Sequence, residues 1–469
     1  MESRERTYVA DLDRGVFDKK NEFKYSKISE KGLNEDVVRL ISKEKNEPEW
    51  MLEKRLEAMR LYFELDNPEW GPDLSVIDLD EINLYVKPNS EEYNSWEQLP
   101  DDIKQTFYDL GIPQAEIDAL SGVSAQYDSE VVYHNVKNYL TEMGVVYINM
   151  DEAVHKYPDM LKKYFGQAIK PSLHKYSALH YAVWSGGSFI YVPKGVHVDI
   201  PVQSYFRLNA PGAGQFEHTF IFVDEGASMH YIEGCSAPKY NVLNLHAGAA
   251  ELFVEEDAYL RYSTIENWSK NMYNLNTKTA LVKKNGHIEW VSGSFGSRVS
   301  MIYPSSMLLG ENAKSDYTGI VFANNAQILD TGSKVDHFAP NTYSNVSARA
   351  ISKSGGEAIH RGLVYFHENS EGSKANVCCE SLMLDNESIS DTIPIMIIEN
   401  DDVDLGHEAK IGRIDDSKIF YLMSRGLSEE DAKAMLVRGF AEPIAKELPM
   451  EYAVEMNNLI NLELIGVIG

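Results

Sequence analysis

Two adjacent cysteines, Cys378 and Cys379, followed by the pair His407 and Glu408, carry the donor types best suited to hold a metal. Thiolate, imidazole and carboxylate are the side chains that coordinate iron or zinc. The 29-residue separation of Cys379 and Glu408 is too wide for a zinc-finger loop, but it matches one unit of the repeat described below. One unit of separation would put both on neighbouring rungs. Adjacent cysteines on a strand point to opposite faces, so only one of the two can share an interior with its neighbours. The competing reading is a pair of small buried hydrophobes. A third cysteine, Cys235, lies in YIEGCSAPKY (231–240) at a strand end, where a turn would expose a reactive thiol. Its thiolate would need a cationic neighbour, for which Arg207, Lys239 and Lys278 are available.

Other titratable residues read more plainly. His246, His287, His337, His360 and His367 are scattered and are expected to be surface or satisfied residues. The acidic run Glu399, Asp401, Asp402 and Asp404 reads as a solvated face. No HExxH, Walker lysine segment, CxxC pair or serine elbow occurs, so hydrolase or ATPase chemistry has no motif behind it.

The elements that must position these side chains are short runs rich in β-branched and aromatic residues: ASMHYIEG (227–234), AYLRYSTI (258–265), HIEWVSG (287–293), AKSDYTGIVF (313–322) and AQILDTG (326–332). Two-residue alternation within each predicts strands. Ala227, Ala258, Gly286 and Ala313 hold comparable places, 31, 28 and 27 residues apart. No helix of ordinary length fits between the runs, which excludes βαβ units. A sandwich of hairpins or a coil of short parallel strands remains; the recurrence favours the coil, and the irregularity of its period limits that preference.

Around this β region, taken as 181–414, lie two helical stretches. Residues 1–180 read as mainly helical, with helices over 32–45, 50–65, 101–110 and 113–120, a Pro-rich connection over 66–100, and helical material over 151–167 interrupted at Pro158. Residues 415–469 return to helical periodicity. Ser428 stands three residues before Asp431 as a capping-box-like start, and Pro449 breaks the last helices. A chain of 469 residues with 43% hydrophobic content supports two or three domains and a large core. No apolar window is long enough for a membrane span, and MESRERTYVADLDRG does not resemble a secretory signal. Three cysteines give no disulfide framework and suit a cytoplasmic, reducing compartment. A formal charge of −28, from 72 acidic and 44 basic side chains, disfavours nucleic acid as a partner.

The text of several segments is more specific than any of these patterns. VWSGGSFIYVPKG (183–195), QFEHTFIFVDEGAS (215–228), YIEGCSAP (231–238), RYSTIENWS (261–269), NVCCESLM (376–383) and GHEAKIG (406–412) resemble the SufB/SufD family of the SUF iron–sulfur cluster assembly system, and within it the SufB scaffold subunits. FYLMSRGLSEEDAKAMLVRGF (420–440) and KELPMEYAVEMN (446–457) match its C-terminal text, so the resemblance runs from Gly32 to Gly469.

That resemblance implies a mainly β fold, a right-handed parallel β-helix flanked by N-terminal and C-terminal helical modules. The C-terminal module would dock the SufC ATPase, in which ATP hydrolysis would reside. The chain would pair with SufD or with a second copy of itself. Sulfur would arrive as persulfide from a cysteine desulfurase and its sulfur-transfer partner, and the finished cluster would pass to acceptor apoproteins. Cys235 matches the receiving cysteine. Arg207, Asn209, Glu217, Glu233, Glu266, Trp268 and Lys278 match residues of the interior sulfur route. Cys379, Glu408 and His407 match the site of the nascent cluster, with Cys378 an extra thiol beside it. The expected cargo is a [4Fe-4S] cluster, with [2Fe-2S] as an earlier form and reduced flavin as a further candidate cofactor. In this sequence Gly406 stands where some relatives have glutamate, His218 where arginine is common, and His360 where tyrosine is common. Two competing readings are a SufD-like structural subunit and a metal-dependent enzyme on a β-solenoid using His407 and Glu408.

Overall fold

The computed structural model describes residues 20, 24–89, 92–94, 98, 101, 104, 120–448 and 450–465. The helices expected over 101–110 and 113–120 lie outside the described residues apart from single positions. The β runs form a parallel solenoid. Eight strands stack in register in its front sheet, and the column Val202, Tyr231, Tyr262, Trp290, Tyr317, Val346, Val377 and His407 advances 27 to 31 residues per coil. The coil reading is therefore the right one. Its aromatic members pack on one another with tilted rings, the centroids 5.0 Å apart for Tyr231–Tyr262 and 5.4 Å for Tyr262–Trp290. Parallel strands need a long crossover, and here the crossover is itself β structure, forming a second sheet that serves as the back wall.

Asp and Asn residues shape one set of corners. Asp257, Asn285, Asn312 and Asn341 have φ of 58°, 53°, 61° and 55°, a left-handed conformation that Asn and Asp tolerate better than other non-glycine residues. Asn285 donates to Asp257 at 2.8 Å and Asn312 to Asn285 at 3.0 Å, which ties successive coils together at the turn.

The back wall changes along the solenoid. In the earlier coils a two-residue bend breaks it into two short strands: Gly214–Gln215 and His218–Val223, Asn244–His246 and Ala249–Val254, Met272–Asn274 and Thr277–Val282, Val299–Ile302 and Ser305–Leu308. The unbroken strand Ile328–His337 then pairs with both halves of its predecessor, and Glu357–Phe366 and Ile389–Ile398 continue it. The early coils thus have three walls and the later ones two.

Helices cover both flanks. Glu35–Glu44, Glu49–Glu64 and Lys175–Val183 pack against the aromatic outer face of the back wall around Phe189, Phe220 and Phe253. Met150–Lys156 and Pro158–Tyr164 divide at Pro158, as the sequence predicts. Glu251 anchors this flank by accepting backbone N–H bonds from Gly166, Ala168 and Ile169 at 2.7, 2.8 and 3.1 Å. The sheets begin well before Tyr181, because the hairpin Gly122–Tyr127 and Glu130–Val136 extends the front sheet and Val146–Asn149 joins the back wall. At the other end, Glu429–Ala445 and Met450–Ile465 pack through Val437, Ile444 and Leu459 on the outer face of the front sheet. Asp431 N–H donates to the Ser428 cap at 3.1 Å. Among the described residues no helix is long and apolar enough to cross a membrane.

Arg55 is wholly buried, bonded to Glu47 at 2.6 and 2.8 Å and stacked on Trp184. Replacing Glu47 by Gln leaves that guanidinium without its counter-charge, and should cost about 3–5 kcal/mol, read as a lower urea midpoint by circular dichroism.

Candidate functional site: a polar interior and a terminal thiol

Inside the three-walled coils the side chains are polar and charged. Cys235, from the front strand Ser228–Ser236, is only 1% exposed, so the turn that follows does not bring it to the surface. Lys278 from the back wall bonds Glu233 at 2.7 Å and Thr264 at 3.0 Å, and Tyr262 also donates to Glu233. His246 bonds Glu217 at 2.6 Å and Asn274 at 2.8 Å, and its ring lies 4.5 Å from that of Trp268. Asn274 and Ser294 donate to Glu266 at 3.0 and 2.9 Å. Glu217 and Gly248 occupy the bends of the back wall. A Cβ at Gly248 would sit 2.3 Å from the Glu217 carboxylate, so any larger residue at this bend would displace that carboxylate.

Several polar atoms of this interior lack a protein partner: Glu217 Oε2, Glu266 Oε1, Asn276 Oδ1 and Trp268 Nε1. Buried polar groups normally find one, so four unpartnered atoms in one interior mark it as able to take something polar. The electrostatics favour a protonated thiol at rest. Burial, and then Glu233, Glu266 and Glu217, push the Cys235 pKa well above its ordinary value, with Lys278 opposing them. Burial also raises Glu266. Burial is the largest effect on Lys278 and His246 and works against their charge, but Glu233 and Glu266 together outweigh it at the lysine, as Glu217, Asn274 and Glu266 do at the histidine, and both are raised.

Not every expected residue joins this space. Arg207 aligns with Ser236, one residue beyond Cys235, and bonds its hydroxyl at 2.8 Å. Alternation along a strand puts it on the face opposite Cys235. Asn209 follows it, its N–H donating to Asp128 at 2.7 Å. Asp128, a residue the sequence did not single out, has a pKa pushed up by burial to about 7. His246, Asn274 and Thr264 were also missed. The available signal was phase: Gln215, His246 and Asn274 occupy one register column.

The second site lies at the far end of the same interior. The front-sheet register places Glu233, Thr264, Ser292, Gly319, Ala348 and Cys379 in a single inward column. Its middle members are all small. With strands roughly 4.8 Å apart, five steps carry this column about 24 Å. Cys379 is 1% exposed, and burial, then Cys378, push its pKa up to about 12. It lines two cavities. One also holds Tyr317, Gly319, Ala348 and His360, and the other His360, Gly362, Thr392 and His407.

Cys379 and Glu408 do lie on neighbouring strands, Ser373–Met383 and Val403–Arg413, but the register sets Cys379 beside Ala409 and Cys378 beside Glu408. Glu408 therefore faces outward with Cys378. Its side chain is 60% exposed and paired with Lys410 at 3.0 Å. His407 aligns with Val377 and shares the inward phase of Cys379. Among the described residues no group of three His, Cys, Asp or Glu side chains already stands in metal-holding positions.

Comparison with known proteins gives a consistent result. Residues 206–440 match the family described as SUF system FeS cluster assembly, SufBD core domain, and residues 98–204 match the SufBD protein N-terminal region. Iron–sulfur cluster assembly SufBD family proteins of Staphylococcus aureus (strain MRSA252) and Staphylococcus haemolyticus (strain JCSC1435) are each 51% identical over 441 residues, covering 94% of this chain and 95% of theirs.

The burial pattern sets an order of thiol reactivity. Under native conditions iodoacetamide should label the half-buried Cys378 first, with Cys235 and Cys379 labelled fully only after denaturation. Because the Cys235 pKa is raised, its residual labelling rate should keep climbing above pH 9. Peptide mass spectrometry reads each site, and a Cys235 rate that levels off near neutral pH would contradict the interior described.

Proposed function

The chain belongs to the SufBD family of the SUF iron–sulfur cluster assembly system, and from that premise we propose that it is a scaffold subunit on which a cluster is built from persulfide sulfur and iron. The observation that carries this reading is the single inward column running from Glu233, beside Cys235, to Cys379. A body that only paired with a partner would have no need of two buried thiols facing one shared interior.

In this reading a cysteine desulfurase and its sulfur-transfer partner deliver persulfide to Cys235. The Cys235 thiolate attacks the terminal sulfur of the donor persulfide, a new S–S bond forms at Cys235, and the donor leaves as thiolate. The thiol proton must go to a neighbour for this to happen, and Glu233, 3.9 Å from the sulfur, is the acceptor within reach. Lys278 stabilises the anion that results, while Glu217, Glu266 and Trp268 line the space it occupies. Arg207 and Asn209 act from the other face, where they hold the end of the strand. Release of that sulfur breaks the S–S bond at Cys235 and takes two electrons to give sulfide and the Cys235 thiolate, for which reduced flavin is the candidate donor; the sulfide then meets iron at Cys379, with His407 on the same inner face. Glu408 and the extra thiol Cys378 form a separate outward pair that could serve only from the rim. Mixed donors of this kind suit a cargo that must be released.

Two surfaces suit the partners of such a complex. The helix Asp416–Ser424 exposes Phe420 (72%), Tyr421 and Met423, with Met435 nearby, a face fit for SufC, which would supply ATP hydrolysis. The last coil exposes Ile389, Ile395, Ile397, Ile398 and Ile411, a face fit for SufD or a second copy of this chain. Acceptor apoproteins would take the cluster there, in the cytoplasm. The alternative of a SufD-like structural subunit draws on the outward Glu408, which withholds the carboxylate from Cys379.

Anaerobic reconstitution with iron and sulfide separates these readings. The wild-type chain should gain a labile brown chromophore that Cys379→Ala abolishes, with Cys378→Ala and Glu408→Ala scoring the outward pair. Cys235→Ala should keep the chromophore formed from free sulfide, lose uptake from persulfide, and still bind SufC. Ala348→Leu, which overfills the interior between the two thiols at a cost of about 1–3 kcal/mol, should likewise slow only the persulfide-fed reaction. A colourless wild-type protein would leave the structural-subunit reading in place of the scaffold.

A further inference from the structure

Besides Cys379 itself, His360 is the one residue among those described that lines both cavities at that thiol. It sits on the back strand Glu357–Phe366 with the inward phase of Ala358, Val364 and Phe366, and is 5% exposed. Its Nε2 has no hydrogen-bond partner. Gly362 follows it on the same inward face, and a Cβ there would stand 3.4 Å from His360 Nε2, so the glycine leaves room beside the free nitrogen. Across the ladder His360 aligns with Thr392, whose buried hydroxyl is also unpartnered. An unpartnered buried imidazole normally signals a missing partner, and the thiol facing the same cavities is Cys379.

We propose that His360 and Cys379 form a half-site for a soft or borderline divalent metal ion, with His360 Nε2 and the Cys379 sulfur as its protein ligands. Binding releases the thiol proton: the S–H bond breaks, a sulfur–metal bond forms, and the imidazole donates its lone pair without redox change. Two protein ligands leave positions free for His407, which lines the same outer cavity, or for sulfide, water or a group from a second subunit. The site differs from the Cys379–Glu408 pairing expected from spacing, because Glu408 lies on the other face of the sheet while His360 shares the inner one. Within the proposed scaffold the metal would be the incoming iron, but the half-site is read from side chains alone and does not require that reading.

Cobalt(II) alone tests it. Titrated anaerobically into the full chain, Co(II) should give a thiolate-to-cobalt band in the near ultraviolet. Cys379→Ser should remove the band, whereas Cys378→Ser and Glu408→Gln should leave it. His360→Asn should weaken binding at least roughly tenfold, as loss of a metal-site residue does, with an unchanged thermal midpoint. His360→Gly should regain the band when free imidazole is added, which a purely packing role could not produce. Absence of the band in the wild-type chain, its loss with Cys378→Ser, or wild-type affinity in His360→Asn would each overturn the proposal. A normal cobalt titration beside a colourless iron–sulfide reconstitution would remove the scaffold reading and keep the half-site. The reverse pair of results would remove the half-site alone.

Discussion

Everything in this molecule depends on parallel strand register being kept from coil to coil. Side chains alternate in and out with a period of two, so a one-residue slip anywhere would turn an entire inner wall outward. Because register holds across the front sheet, residues roughly thirty apart in sequence become neighbours. Tyr231, Tyr262 and Trp290 pack as one ladder, while Glu233, Thr264 and Ser292 form another beside it. The hydrophobic effect supplies the first column; hydrogen bonding and ion pairing hold the second.

The charged interior sets its own terms. Glu217, Glu233 and Glu266 bring three carboxylates into a space shared with one lysine and one histidine, and taking such charges out of water is costly unless they are paired. The pairings Lys278–Glu233 and His246–Glu217 meet much of that cost. The unpartnered oxygens of Glu217 and Glu266 show where it is not fully met. The three-walled cross-section is what gives this network room, and the later two-walled coils return to closer packing around Val346, Val377 and Phe366.

Much of the architecture was legible because the repeat is written in side-chain polarity. The strand runs, their 27- to 31-residue advance, the helix break at Pro158 and the Ser428 cap can all be read from residue type. The early strands at Gly122–Tyr127 and Glu130–Val136 were harder, since two short runs beside a Pro-rich stretch give little alternation to read. The thiol environment was harder still. Cys379 and Glu408 stand 29 residues apart, but their coil advances by 30, as Val377 against His407 shows, and that single residue decides which face each side chain takes. When coil length varies by a few residues, spacing identifies neighbouring rungs without fixing the face. His360 was read as an ordinary histidine because its isolation in sequence conceals the cavity it shares with Cys379.

The final coil carries a further consequence. Val403–Arg413 is the outermost strand of the front sheet, so the backbone N–H and C=O groups along its free edge are open to any strand that approaches. Such edges are aggregation hazards that proteins usually blunt with charge. Here the outward face carries Asp404, Glu408 and Lys410, while the neighbouring back strand Ile389–Ile398 stays rich in isoleucine. Solubility and assembly are thus governed by the same few residues: charges added to keep the edge from sticking to strangers would also weaken its hold on a rightful mate.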